Sequence, residues 1–314
     1  MISKTTSTFL RGVGVFFVIV AHYSQWYLTI SDNNIVWLLS KTGRYGVAIF
    51  FMVSGYGLVF SAKKGMDLHW ICRRAYHVYF PYLCIQGVIY LLEKRSFNSV
   101  NITRYVFSMD TWFIFVILNF YVLFYIVWKF SGHKIQWMAL GVTVISVILA
   151  VAGKDSVWYS SNFAFLVGII AARYDEKIGR WILSGRRSIS IVLLISFLCC
   201  GVFYTYFTDK SELIYVLGKI VASLLWSLFI LTVFAYREVS NRMINKIGAA
   251  SLEIYLIHII VLQRLELERG RIGVVVVLLI SLLVSLVIAE ILHRFFGNLA
   301  VLYRCIRKKM SVRI

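Results

Sequence analysis

Apolar blocks follow one another along almost the whole chain, with only short polar connections between them. They lie at roughly 9–30, 43–61, 71–92, 112–130, 135–152, 157–172, 188–207, 214–236, 248–263 and 272–296. A hydrocarbon core needs about 20 apolar residues per helical crossing. Long apolar blocks of this kind indicate membrane-spanning helices. The expected fold is therefore all-α, a polytopic transmembrane bundle of about ten helices. The blocks use up the sequence, so one membrane-embedded domain is expected over 1–314. Composition agrees: 60% of the residues are hydrophobic and 15% charged, against about 45–50% and about 25% in soluble domains.

The net charge of +19 does not imply nucleic acid. The basic residues sit at the ends of the blocks, where cytoplasmic loops carry Lys and Arg, and form no stripe on a soluble face. With the N-terminus placed inside, the cytoplasmic ends collect twice as many Lys and Arg as the outer ends, which favours two cytoplasmic termini. The first block runs on to Ile30 and contains Arg11 and His22, unlike a cleavable signal peptide. Five cysteines without a CxxC spacing imply neither a disulfide framework nor a metal site. Pro81, the one proline, lies inside the third block, where it is expected to kink a helix.

Ionisable residues inside a span are costly and point to function. Arg11 and His22 are eleven residues apart, so on a helix they face the same way to within roughly 20° and lie about 16 Å apart along the axis. Arg11 then sits at the cytoplasmic edge and His22 near mid-bilayer. An interfacial anchor plus a hydrogen-bonded core histidine is the competing reading. His258, at the end of Ser251-Leu-Glu-Ile-Tyr-Leu-Ile-His258, falls at a depth similar to His22, and from sequence alone a histidine closing a helix–helix hydrogen bond is the preferred reading for it. Glu253 is nearer the cytoplasm on another face. Glu290, His293 and Arg294 read as a local ion-pair cluster. Gly46, Phe50, Ser54 and Gly57 share a face of the second block, a pattern that permits close helix packing. Arg73 and Arg74, following Lys63 and Lys64, form a basic collar, either an anchor or an anion site.

Five segments, in order, resemble the acyltransferase-3 family of membrane acyltransferases. Arg11 to His22 is similar to its Arg-x10-His motif, and Gly43 to Tyr56 to its GxxGVxxFFxxSGY pattern. Arg73-Arg74 through Pro81-Tyr82 resembles its RR…PY segment, Trp112-Phe113 through Tyr121 a W-F…Y variant, and Ser251 to His258 its SxxIYLIH run. The resemblance implies a bacterial inner-membrane enzyme of about ten helices. Such enzymes move acyl groups, usually acetyl from cytoplasmic acetyl-CoA, onto envelope or extracellular glycans and lipids, with acetyl-CoA as substrate and no further cofactor. It implies a catalytic His22 assisted by Arg11, with Arg73 and Arg74 as donor-binding residues. Ser54, Tyr121, Glu253 and His258 are the candidates for supporting roles. Two departures matter. Val116-Ile-Leu-Asn-Phe-Tyr121 lacks the acidic pair of the family's VEEQFY segment, and Ala48 stands where an acidic residue is common. The first points to the branch acting on exopolysaccharide, capsule or O-antigen-like glycans. No periplasmic esterase-like domain follows the last block, so no fused two-domain relay is expected. Partners expected are acetyl-CoA, a glycan or lipid-linked sugar and the bilayer. His22 is expected to act as general base or to carry the acyl group, and the two remain open. A transporter or flippase is the alternative class.

Overall fold

The computed structural model describes residues 1–28, 34–96, 98–266 and 274–311, with side chains not described at 28, 266, 274–275 and 300–311. The end of the first apolar block, the start of the last and the side chains at 300–314 lie outside these limits. The described residues form helices α1 (Lys4–Leu28), α2 (Asn34–Ser40), α3 (Gly43–Ala62), α4 (Leu68–Leu92), α5 (Ser99–Val106), α6 (Trp112–Phe130) and α7 (Ile135–Val151). These are followed by α8 (Phe163–Arg173), α9 (Asp175–Tyr206), α10 (Glu212–Phe234), α11 (Arg242–Ala249), α12 (Ser251–Glu266) and α13 (Val274–Ser311). No strand occurs among them. The chain is an all-α, multi-pass membrane bundle.

Each apolar block of the sequence falls on a helix, but the helices are unequal. Seven are long and apolar enough to cross a bilayer, and the bent pair α11–α12 makes an eighth if taken as one span. The expectation of about ten crossings also included α7 and α8, which are only 17 and 11 residues long. Helix α8 is nearly all buried, so it acts as an internal packing element whatever its depth. The block at 188–207 continues back to Asp175 through a non-helical break at Gly185.

Local chemistry fixes several starts. Asp67 accepts from the Trp70 amide at 2.7 Å and caps α4, about one turn before the expected block. Asn241 accepts from the Met243 and Ile244 amides and caps α11, after which the chain turns by 78° into α12.

Helix α3 is the hub, buried almost end to end and packed on α1, α8 and α10. Helices α9 and α10 pair beside it, while α12 pairs with α13 and touches α1 and α4. In lipid, helices gain little from mutual hydrophobicity and associate by close packing and polar contacts. The backbones here approach accordingly. A Cβ on Gly46 would overlap the Gly14 carbonyl oxygen, and one on Gly168 the Met52 carbonyl. Of the face expected from sequence, Gly46 makes such a contact, but Gly57 faces open space, and Gly55 packs on the Phe165 carbonyl instead.

Candidate functional site

Helix α1 carries Arg11 near one end and His22 near the other, as the eleven-residue spacing requires. Helix α12 brings His258 against His22, with ring centroids 5.2 Å apart and planes at 46°. His258 is fully buried. Its Nδ1 lies 3.1 Å from the Ile254 carbonyl and 2.9 Å from that of Tyr255. Carbonyl oxygens only accept, so this network assigns the neutral ring's proton to Nδ1 and leaves Nε2 as a lone-pair acceptor. Nε2 is buried and has no hydrogen-bond partner among the described residues. Rather than closing a bond between helices, His258 is tied to its own helix and presents its ring to His22. Tyr255 and Phe113 line the same region, their rings 5.1 Å apart.

Gln25, one turn beyond His22, interacts with the His22 side chain and donates to the Ser40 carbonyl at 3.1 Å. That links His22 to the end of α2. The sequence signal for Gln25 was its i+3 spacing from His22.

A second cluster lies nearer the end of the bundle where α1 begins. Tyr121 of α6 interacts with Ser54 of α3 and is within electrostatic range of Arg11 and Arg74. Arg11 donates to Thr8 Oγ1 at 3.2 Å, while its Nε is buried without a hydrogen-bond partner among the described residues. It also senses the charge of Glu253. Arg74 lies over the Trp70 ring, 5.7 Å from its centroid. Arg73 is exposed and turned outward. The structure thus brings Arg11, Arg74, Ser54 and Tyr121 together and separates Arg73 from them.

Glu253 is buried and meets His293 of α13 at 3.1 Å. The expected local cluster on α13 is present in part: Arg294 pairs with Glu290 at 2.7 Å, one turn apart, and Lys246 approaches the same carboxylate at 3.6 Å. His293 instead joins α13 to α12. No group of three or more His, Cys, Asp or Glu suited to a metal occurs among the described residues.

The family model described as an acyltransferase domain, acyltransferase 3, matches residues 7–293. The chain belongs to the acyltransferase-3 family. The match spans both clusters, from just before Arg11 to His293. No curated protein and no solved structure matches the chain. It is a multi-pass membrane acyltransferase, and the two clusters are the candidate parts of its site.

Proposed function

We propose that this acyltransferase transfers acetyl from cytoplasmic acetyl-CoA to a hydroxyl of an envelope or extracellular glycan, from the inner membrane of a bacterium. The observation that carries the reading is the contact between half-buried His22 and fully buried His258, whose Nε2 has no hydrogen-bond partner among the described residues. An acceptor hydroxyl needs a base to take its proton as it attacks a thioester. Sequence spacing named no partner for His22, and His258 is the group that supplies one.

The acceptor oxygen bonds to the thioester carbon, its proton passes to the imidazole pair, and the C–S bond breaks. The released CoA thiolate takes up a proton as the pair returns to neutrality. The same pair also serves a two-step route, in which His22 first accepts the acyl group and His258 holds the proton while the acceptor attacks the acyl-imidazole. Trapping an acyl-histidine selects the second route. Arg11 and Arg74 face the donor in this scheme, positioned by Thr8 and by the Trp70 ring respectively, with the Tyr121–Ser54 pair beside them. Arg73 adds positive potential at the rim.

The test is proton NMR of O-acetyl groups on envelope polysaccharide from a deletion strain complemented with wild type or His22→Ala. Restoration by wild type and not by equally expressed His22→Ala supports the proposal. Unchanged acetyl content in the deletion strain rejects the glycan acceptor. Restoration by both variants rejects His22 as the acting residue.

A further inference from the structure

The same end of the bundle holds an open cleft of about 610 Å³ outside both clusters. Its lining includes Lys63, Trp128, Lys129, His133 and Arg173. Among the described residues three cations and a histidine line it, and no carboxylate does. The nearby Asp67 is engaged in capping α4. Arg173 Nη1 is buried and has no hydrogen-bond partner among the described residues. A guanidinium N–H kept from water without an acceptor is destabilising unless an anion supplies the acceptor. Along one wall, Phe124, Trp128 and His133 form a column of rings, with centroids 4.8 Å and then 4.4 Å apart. The last of them, His133, is exposed. Positive charge beside an open ring face fits a ligand that carries both phosphate and a nucleobase.

The cleft also stands at the head of the site. Its Lys63 and Lys129 end the same two helices, α3 and α6, that carry Ser54 and Tyr121 about 12 Å further in.

We propose that this cleft binds the phosphorylated nucleoside end of the acyl donor. Arg173, Lys129 and Lys63 would meet its phosphate and the His133 ring its base, while the acyl arm runs between α3 and α6 toward Tyr121 and His22. The inference rests on the reading of a CoA thioester as donor. Its residues are distinct from Arg11, Arg73 and Arg74.

The test uses the full chain in nanodiscs of neutral phosphatidylcholine. Binding of CoA and of adenosine 3′,5′-bisphosphate is measured by calorimetry for wild type, Arg173→Gln and Lys129→Gln. Thermal melts confirm folding, and Arg173→Lys, which retains the charge, guards against a packing effect of the Gln change. Removing one charge-assisted hydrogen bond is expected to weaken both ligands roughly tenfold or more, with Arg173→Lys in between. At saturating donor, kcat is expected to stay near wild type while KM for the donor rises. Unchanged affinity for both ligands in folded Gln variants overturns the cleft assignment and leaves the donor reading intact. Wild type that neither binds CoA nor transfers its acyl group overturns the donor reading itself. A variant that loses affinity only for phosphatidylglycerol added to the discs overturns the proposal in favour of a lipid headgroup.

Discussion

Replacing His258 with Phe separates a chemical role from a packing role. The ring volume is roughly kept. The change removes Nε2, whose burial without a partner costs about 1–3 kcal/mol, and gives up the Nδ1 contacts to the Ile254 and Tyr255 carbonyls. Each such hydrogen bond is worth about 0.5–1.5 kcal/mol net. The opposing terms nearly cancel, so folding stability is expected to move by no more than about 1 kcal/mol. Activity is expected to behave differently. Loss of a positioned proton acceptor costs about 10²–10⁴ in rate, or roughly 3–5 kcal/mol of barrier. The assay is transfer of radiolabelled acetyl from acetyl-CoA by purified protein in nanodiscs, run beside a thermal melt followed by tryptophan fluorescence. A folded His258→Phe protein within threefold of wild-type rate refutes the proton-acceptor reasoning. A rate that falls only in proportion to the folded fraction assigns His258 to packing alone.

Three further outcomes are expected. Gly168→Ala pushes a methyl into the Met52 carbonyl and forces α3 and α8 apart, with an overpacking cost of about 1–3 kcal/mol or more visible as a lowered melting temperature; an unchanged melt removes this contact from the account of stability. Tyr121→Phe deletes the hydroxyl that interacts with Ser54 beside Arg11 and Arg74. It should raise donor KM several-fold with little effect on kcat, and a fall in kcat alone would place Tyr121 at the chemistry instead. Asp110, between α5 and α6, is partly buried, which opposes its ionisation. Hydrogen bonds from Tyr90 and Arg104 and the charges of Arg104 and Arg95 outweigh that and hold its carboxyl below the usual value. A depressed carboxylate stabilises the fold above its unfolded pKa of about 3.9 and loses that contribution as pH falls through the folded value. Melts between pH 7 and pH 3 should show an acid-side loss that is smaller in Asp110→Asn, and equal slopes would count against it.

The apolar blocks made the helices legible, because a membrane leaves a long apolar run few ways to satisfy its backbone. The shared face of Arg11 and His22 and the similar depth of His258 were also legible, since both follow from helical rise and rotation alone. The approach of His22 to His258 was not, because it depends on the bend at Ala250 that aims α12. The same limit hid the Glu253–His293 link: local spacing put His293 with Glu290, but the packing of α12 on α13 turns it across the interface. Arg73 and Arg74 read as a pair, and helix geometry splits them by about 100°, so Arg74 lies near Tyr121 while Arg73 is exposed. Gly57 looked equivalent to Gly46 by spacing, but it points where no neighbouring helix lies.

The backbone contacts through Gly14 and Gly46, Gly55 and Gly168, and Gly12 and Gly248 join α11, α1, α3 and α8 in one continuous series. His22, Arg11 and Ser54 are all mounted on members of that series. Natural drift should therefore be unevenly tolerated. A deep mutational scan should find the glycine seams almost intolerant of change even where they touch no substrate. The outward faces of α9, little covered by the rest of the chain, should accept most apolar substitutions. Mutagenesis aimed at a new acceptor can then leave the seams fixed and vary residues around His22 without loosening its mount.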